Sequence, residues 1–338
     1  MTDVDVPATL PPNLYHYTDS GGLQGILGPG KGPYQLGGFH NKDVEFRYRG
    51  DLDLYTNGKA ALFRATDVRY MNDSQELVFG AKIVSERLRA AAGHGDVDVP
   101  LRTAFLSFAH FFDPERVFEW PARCFAVCFC GNGDVLSQWR GYAGGVGGFA
   151  IGFPREVLAQ RSWGIHIMAA GNISDLPSPA PLVQVAYGED DSRARADDLI
   201  DVIKSRYAQG DLLRDPDGSP GLAVSMAAFQ AIAGMKHSAF AEEQEWRLLA
   251  VTSQTGREVR TRPTAAGIVP YMDVVVNARL RVDTNEVVEA PLAEVVVGPA
   301  EPAQSRGQIA AVGDLLRSRG MWGFRDVPVV PSKAPFRS

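Results

Sequence analysis

From Leu14 to Val330, short apolar strand patterns and helix-length amphipathic patterns follow one another without regular strand–helix–strand alternation. That irregular order points away from a doubly wound parallel sheet. It predicts an α+β chain, with a split mixed or antiparallel sheet core flanked by helices. Strand patterns fall at 14–17, 60–65, 123–130, 149–153, 181–187, 245–251, 269–276, 294–299 and 327–330. Helical patterns occupy 21–27, 137–142, 192–240 with a break at 210–221, and 309–316. A further helix starts at Asn72-Asp73-Ser74-Gln75-Glu76, with Asp73 as cap and Glu76 closing a capping box. Leu77, Ala81, Val84 and Leu88 then recur at helical spacing and predict its buried face.

The run Arg123-Cys124-Phe125-Ala126-Val127-Cys128-Phe129-Cys130 contains all three cysteines, and strand alternation places them on one face. Same-face neighbours on a strand sit about 6.6 Å apart, awkward for a disulfide. A zinc site wants paired ligands on a turn, so these read as core thiols of a reducing compartment and no metal is assigned. The loop Gly144-Gly145-Val146-Gly147-Gly148 follows a helical turn and feeds a strand. That is the reverse of the order that aims amides at a phosphate.

The chain has 338 residues, 45% hydrophobic and 22% charged, ample for a sizeable core. It reads as a single domain over 13–337, with insertions near 28–58 and 160–180 and a flexible N-terminal arm over 1–12. A formal net charge of -6 gives no general footprint for nucleic acid, although Arg257, Arg260 and Arg262 crowd together locally. No apolar stretch nears the ~20 residues of a membrane helix. Met1-Thr2-Asp3-Val4-Asp5 lacks a signal core, so a cytoplasmic protein without membrane contact is expected.

The richest chemistry lies in Glu242-Glu243-Gln244-Glu245-Trp246-Arg247-Leu248-Leu249-Ala250-Val251. If the strand begins early enough, Glu243, Glu245 and Arg247 share one face. Two carboxylates so spaced can divide the work of glycosyl transfer, one holding a sugar hydroxyl and the other an acceptor proton. The same spacing also suits an acidic strand end neutralised by Arg247.

Six separated motifs resemble a bacterial family known as domain of unknown function 2971. They are Leu14-Tyr15-His16-Tyr17-Thr18; Asn72-Asp73 with Glu76; Leu136-Ser137-Gln138-Trp139-Arg140-Gly141-Tyr142-Ala143 ahead of Gly148 to Phe153; Lys236 with Glu243 to Arg247; Val295 to Pro299; and Val330 to Arg337. The resemblance covers roughly 13–337. That family is in turn similar, remotely, to ADP-ribosyltransferases of the His-Tyr-Glu type, which implies an ADP-ribosyltransferase-like fold.

The resemblance further implies NAD as the substrate and a protein or nucleic-acid acceptor, in a toxin or an anti-phage effector. Glu245 would stabilise the oxocarbenium-like state and bind the ribose, and Glu243 would orient or deprotonate the acceptor. On the same grounds His16, with Tyr17 and Thr18 beside it, would bind the adenosine side. Trp139 or Tyr142 would stack on nicotinamide and Arg140 would meet the diphosphate. Tyr142 is the first choice for the family's tyrosine and Tyr17 the second. Two alternatives stay open: a non-catalytic nucleotide-sensing module of the same fold, and a metal-dependent hydrolase using Asp73, Glu243 and Glu245.

Overall fold

A computed structural model describes residues 10–27, 60–71, 74–120, 122–143, 147–164, 178–211, 213–214, 219–253, 259–264, 267–277, 279–280, 287–289, 291–318 and 327–335. Most of both expected insertions, the start of the N-terminal arm, Asn72, Asp73 and Arg257 lie outside them. The chain divides into two compact units, each assembled from separate stretches. The first combines Met1–Leu62, Phe129–Ser162 and Val275–Ser338; the second combines Phe63–Cys128 and Trp163–Val274.

The first unit is built on the strand Asn13–Thr18, which lies antiparallel to Phe149–Pro154 with His16 opposite Ile151. Tyr15 on its other edge faces Cys130. Phe149–Pro154 continues antiparallel to Glu294–Val297, which takes Val329–Pro331 as a parallel partner. One parallel pair among antiparallel ones makes this a mixed sheet. The helix Ser20–Leu27 starts where expected, because Asp19 Oδ1 accepts the amide of Gly22 at 2.7 Å. It turns Leu23, Ile26 and Leu27 inward.

The second unit gathers helices Ser74–Ala92, Val99–Phe111, Gly188–Ala208 and Leu222–Ile232 around one apolar core. Leu77, Ala81, Val84 and Leu88 all enter that core, as their spacing predicts. Phe112, Trp120 and Phe229 meet edge to face with ring centroids 5.2–6.1 Å apart. Strand residues Cys124, Ala126, Leu249 and Val251 close the core from the sheet side. Together the units bear out an α+β chain with a mixed sheet flanked by helices. Among the described residues no helix is long and apolar enough to cross a membrane.

Three local departures matter for the site. The strand pattern at 181–187 splits into Leu182–Gln184 and Ala186–Tyr187. The first piece pairs with the Glu245 strand, Val185 then donates to the Glu245 carbonyl at 2.9 Å, and the second piece turns to pair in parallel with Met235–Lys236. Lys236, expected in the last turns of a helix, therefore sits on a short extended segment, because Leu222–Ile232 ends at Ala233. Finally, the Glu245 strand starts at Glu245 itself. Glu243 ends a 3-10 turn, Ser238–Glu243, and Gln244 intervenes with φ 44, a left-handed conformation that L residues seldom adopt.

Gly80 shows how the long helix is brought close. A methyl at that position would lie 2.4 Å from the Ile232 carbonyl oxygen, so only hydrogen fits there. Gly80 is one turn beyond Glu76 on the same helix face. Gly80→Ala is expected to cost about 1–3 kcal/mol by forcing the helices apart. A urea denaturation midpoint equal to that of the parent protein would show that the contact relaxes freely.

Candidate active site

The centre of the second unit holds five charged side chains that the chain delivers from four places. Glu76 comes from the first turn of the helix Ser74–Ala92, Lys236 from the short strand, Glu243 from the 3-10 turn, and Glu245 and Arg247 from one strand face. Lys236 Nζ donates to all three acids: Glu243 Oε2 at 2.6 Å, Glu76 Oε1 at 2.7 Å and Glu245 Oε2 at 3.1 Å. Its three N–H bonds are thereby used, and its charge also lies 4.8 Å from the Phe240 ring centroid.

Arg247 is the second hub. Its Nε donates to Glu245 Oε1 at 2.7 Å and its Nη2 to Glu245 Oε2 at 2.8 Å, a bidentate fork. Nη2 also reaches Glu76 Oε2 at 2.6 Å, and Nη1 caps the Ala233 carbonyl at 2.8 Å. Both residues are buried, and so is Lys236. Arg247 does neutralise Glu245 across the pleat, but inside the unit and not at an exposed strand end.

The two acids of the motif are chemically distinct. Burial pushes the Glu245 carboxyl up, but the charges of Arg247 and Lys236, with the Arg247 hydrogen bond, outweigh it and hold the group near 2. Both Glu245 oxygens are committed. Glu243 differs: burial raises its carboxyl, Lys236 opposes the rise, and the charges of Glu245 and Glu76 add to it, leaving a net upward shift. Its side chain keeps 16% of its exposure, the largest in the cluster, and among the described residues only its Oε2 is held. Three carboxylates against two cations leave a formal excess of one negative charge in the cluster, of which Glu243 is the most exposed acid.

Tyr187 completes the surround. Its hydroxyl accepts the Glu245 backbone N–H at 2.8 Å, and burial pushes the phenol well above its ordinary value. Cys128 also hydrogen-bonds Glu245, and burial raises its thiol strongly. All three cysteines are free. A small cleft opens beside Glu76 and Arg247, walled by Val68, Leu77 and Ile232. Among the described residues no cluster of His, Cys, Asp and Glu is arranged to hold a metal ion.

The remaining candidate residues belong to the first unit. Tyr17 and Trp139 come together there, edge to face at 4.7 Å. The Tyr17 hydroxyl donates to the Asn132 carbonyl and accepts from the Val135 amide, both at 2.9 Å, and burial raises its pKa well above the ordinary phenol value. Trp139 is 1% exposed, with its indole N–H on Asp134 Oδ1 at 2.8 Å. Both rings pack with Cys130, Ala143, Ala150 and Val296, so each is covered by protein. His16 is half-buried and tilted 5.8 Å from the Phe129 ring, and Thr18 is buried. Arg140 and Tyr142 are exposed at the end of the helix Leu136–Tyr142.

Glu76, Lys236 and Tyr187 join Arg247 around the acid pair, yet local patterns paired only Arg247 with Glu245 and assigned the others other tasks or none. Glu76 matched a capping box, and Lys236 a helix terminus. The available signals were two motifs of the resemblance, one holding Glu76 and the other grouping Lys236 with Glu243 to Arg247.

Residues 138–248 match the model of a family described as a protein of unknown function, DUF2971. The matched stretch is narrower than the resemblance suggested. It includes Trp139, Arg140 and Tyr142 as well as Lys236, Glu243, Glu245 and Arg247. No curated protein and no solved structure matches the chain.

Proposed function

We propose that this chain is an ADP-ribosyltransferase-like protein that uses NAD as donor, with Glu243 as the carboxylate that meets the sugar. The observation that supports this reading is a buried cluster of three carboxylates and two cations whose most exposed acid, Glu243, has a raised carboxyl. Breaking the bond between ribose C1′ and nicotinamide sends the electron pair out with nicotinamide. The sugar is left with positive character that a fixed carboxylate stabilises. Glu243 takes the proton of the acceptor nucleophile as its new bond to C1′ forms. A carboxyl raised above the usual range is a better base for that step than one held near 2.

Glu245 then acts as the anchor. Its pairs with Arg247 and Lys236 hold Lys236 where it can keep Glu243 in place. The reading predicts that the protein releases nicotinamide from NAD with a protein or nucleic-acid acceptor. Glu243→Gln is expected to lower that release by about 100-fold or more while circular dichroism is unchanged. No release by the parent protein, or equal release by the variant, would remove the proposal.

A second reading, nucleotide binding without turnover, draws support from the full occupation of both Glu245 oxygens. Calorimetry with NAD and ADP-ribose separates the two, because a sensing module binds without liberating nicotinamide.

A further inference from the structure

A second charged cluster lies in the same unit, away from the acids, on the hairpin Arg260–Thr264 and Gly267–Asn277 and on the strand Ala60–Asp67. Arg260 stands directly opposite Tyr271, and Arg262 opposite Val269. Directly opposed residues of an antiparallel pair share a face, so both arginines lie on the Tyr271 face. Arg64 joins them there: its guanidinium lies 5.4 Å from the Tyr271 ring centroid, and that of Arg260 lies 5.0 Å from it. Arg262 Nη2 donates to Thr66 Oγ1 at 2.8 Å.

This cluster is not balanced as the acid cluster is. Three guanidinium groups converge, and among the described residues the acid paired to them is Asp273, bound to Arg260. Among the described residues the local excess is two positive charges, in a chain whose formal net charge is -6. The Nε of Arg262 is buried and finds no acceptor among the described residues. Burial and then the nearby charge of Arg64 both disfavour the protonated form of Arg262. A buried donor without a partner costs about 1–3 kcal/mol, so an added acceptor would be stabilising there.

We propose that Arg64, Arg262 and Arg260, arrayed around Tyr271, form a binding site for the phosphate group of a phosphorylated small molecule. A phosphate monoester carries close to two negative charges at neutral pH and offers several acceptor oxygens, which matches the excess of two. Guanidinium groups suit it because their planar N–H forks pair with oxyanions. A nucleic-acid track is the poorer fit. Among the described residues the converging positive side chains sit on two strands, Ala60–Asp67 and Arg260–Thr264, and tracking a backbone needs an extended basic groove.

The test is isothermal titration of the full chain at low ionic strength with adenosine monophosphate, inorganic phosphate and a short single-stranded oligonucleotide. Saturable binding of the monophosphate at one site per chain is expected, with inorganic phosphate competing for it. Arg64→Gln and Arg262→Gln should each weaken binding by about ten-fold or more. Arg64 is exposed, so its variant is a readout that does not depend on the half-buried Arg262 surviving substitution. Absence of saturable binding, or equal affinity in the Arg64→Gln protein, overturns the proposal. So does a preference for the oligonucleotide with a steep loss of affinity in salt, which marks a polyanion surface. None of these outcomes bears on nicotinamide release, so this inference stands or falls apart from the acid cluster.

Discussion

Arg247→Met is expected to destabilise the protein by about 3–5 kcal/mol, the cost of leaving buried carboxylates without their cation. The substitution keeps much of the side-chain volume, so the loss reports charge more than packing. In its absence Glu245 would retain Lys236, and Glu76 would lose one of its two partners. The Ala233 carbonyl would also lose its donor. Urea denaturation at neutral pH measures the effect. Adding Glu245→Leu to Arg247→Met should return part of the loss, because it removes the newly unpaired charge. A single variant within about 1 kcal/mol of the parent would mean that the cluster is solvated and not the buried network described here.

Acid should unfold the protein through the same residues. Glu245 titrates near 2 in the folded chain against 4.5 for the free group, so its contribution is complete above about pH 4.5 and disappears as the pH falls through 2. At 1.36 kcal/mol per unit, that difference corresponds to about 3 kcal/mol. Glu243 acts with the opposite sign. Its raised carboxyl favours the protonated folded form, so its contribution is greatest below 4.5 and declines as the pH rises through its folded value. For this pair, stability peaks near pH 4.5. Glu243→Gln should keep the loss below that pH, flatten the decline above it, and be at least as stable as the parent at pH 7. An acid limb of equal depth in Glu245→Gln would sink the assignment.

Much of the fold could be read locally. The spacing of Leu77, Ala81, Val84 and Leu88 found the long helix, and the pattern at 21–27 found Ser20–Leu27. Hydrophobic period and caps act over a few residues, and a sequence displays them directly. The site was harder, because its energetics are nonlocal. Glu76 and Arg247 are 171 positions apart, and nothing near Glu76 announces a partner beyond the cap that it resembles. Lys236 was misread for the same reason: a basic residue after a helical run looks like a dipole partner until the three acids around it are known. Glu243 and Glu245 were expected on one strand face. They converge instead because the left-handed Gln244 swings Glu243 back toward Lys236, a backbone state that no side-chain pattern encodes. Trp139, read as a stacking residue for nicotinamide, packs edge to face against Tyr17.

The stretch that matches the family model starts inside the helix Leu136–Tyr142 and stops within the strand Glu245–Ser253, so it draws on both compact units and completes neither. Glu76 lies outside it, along with the helix that bears it. The borders of what recurs between proteins are therefore not borders at which this polypeptide can be cut. A piece trimmed to that likeness would keep Lys236, Glu243, Glu245 and Arg247 but drop one acid, making the remaining set electrically even and erasing the surplus on which the proposed chemistry depends.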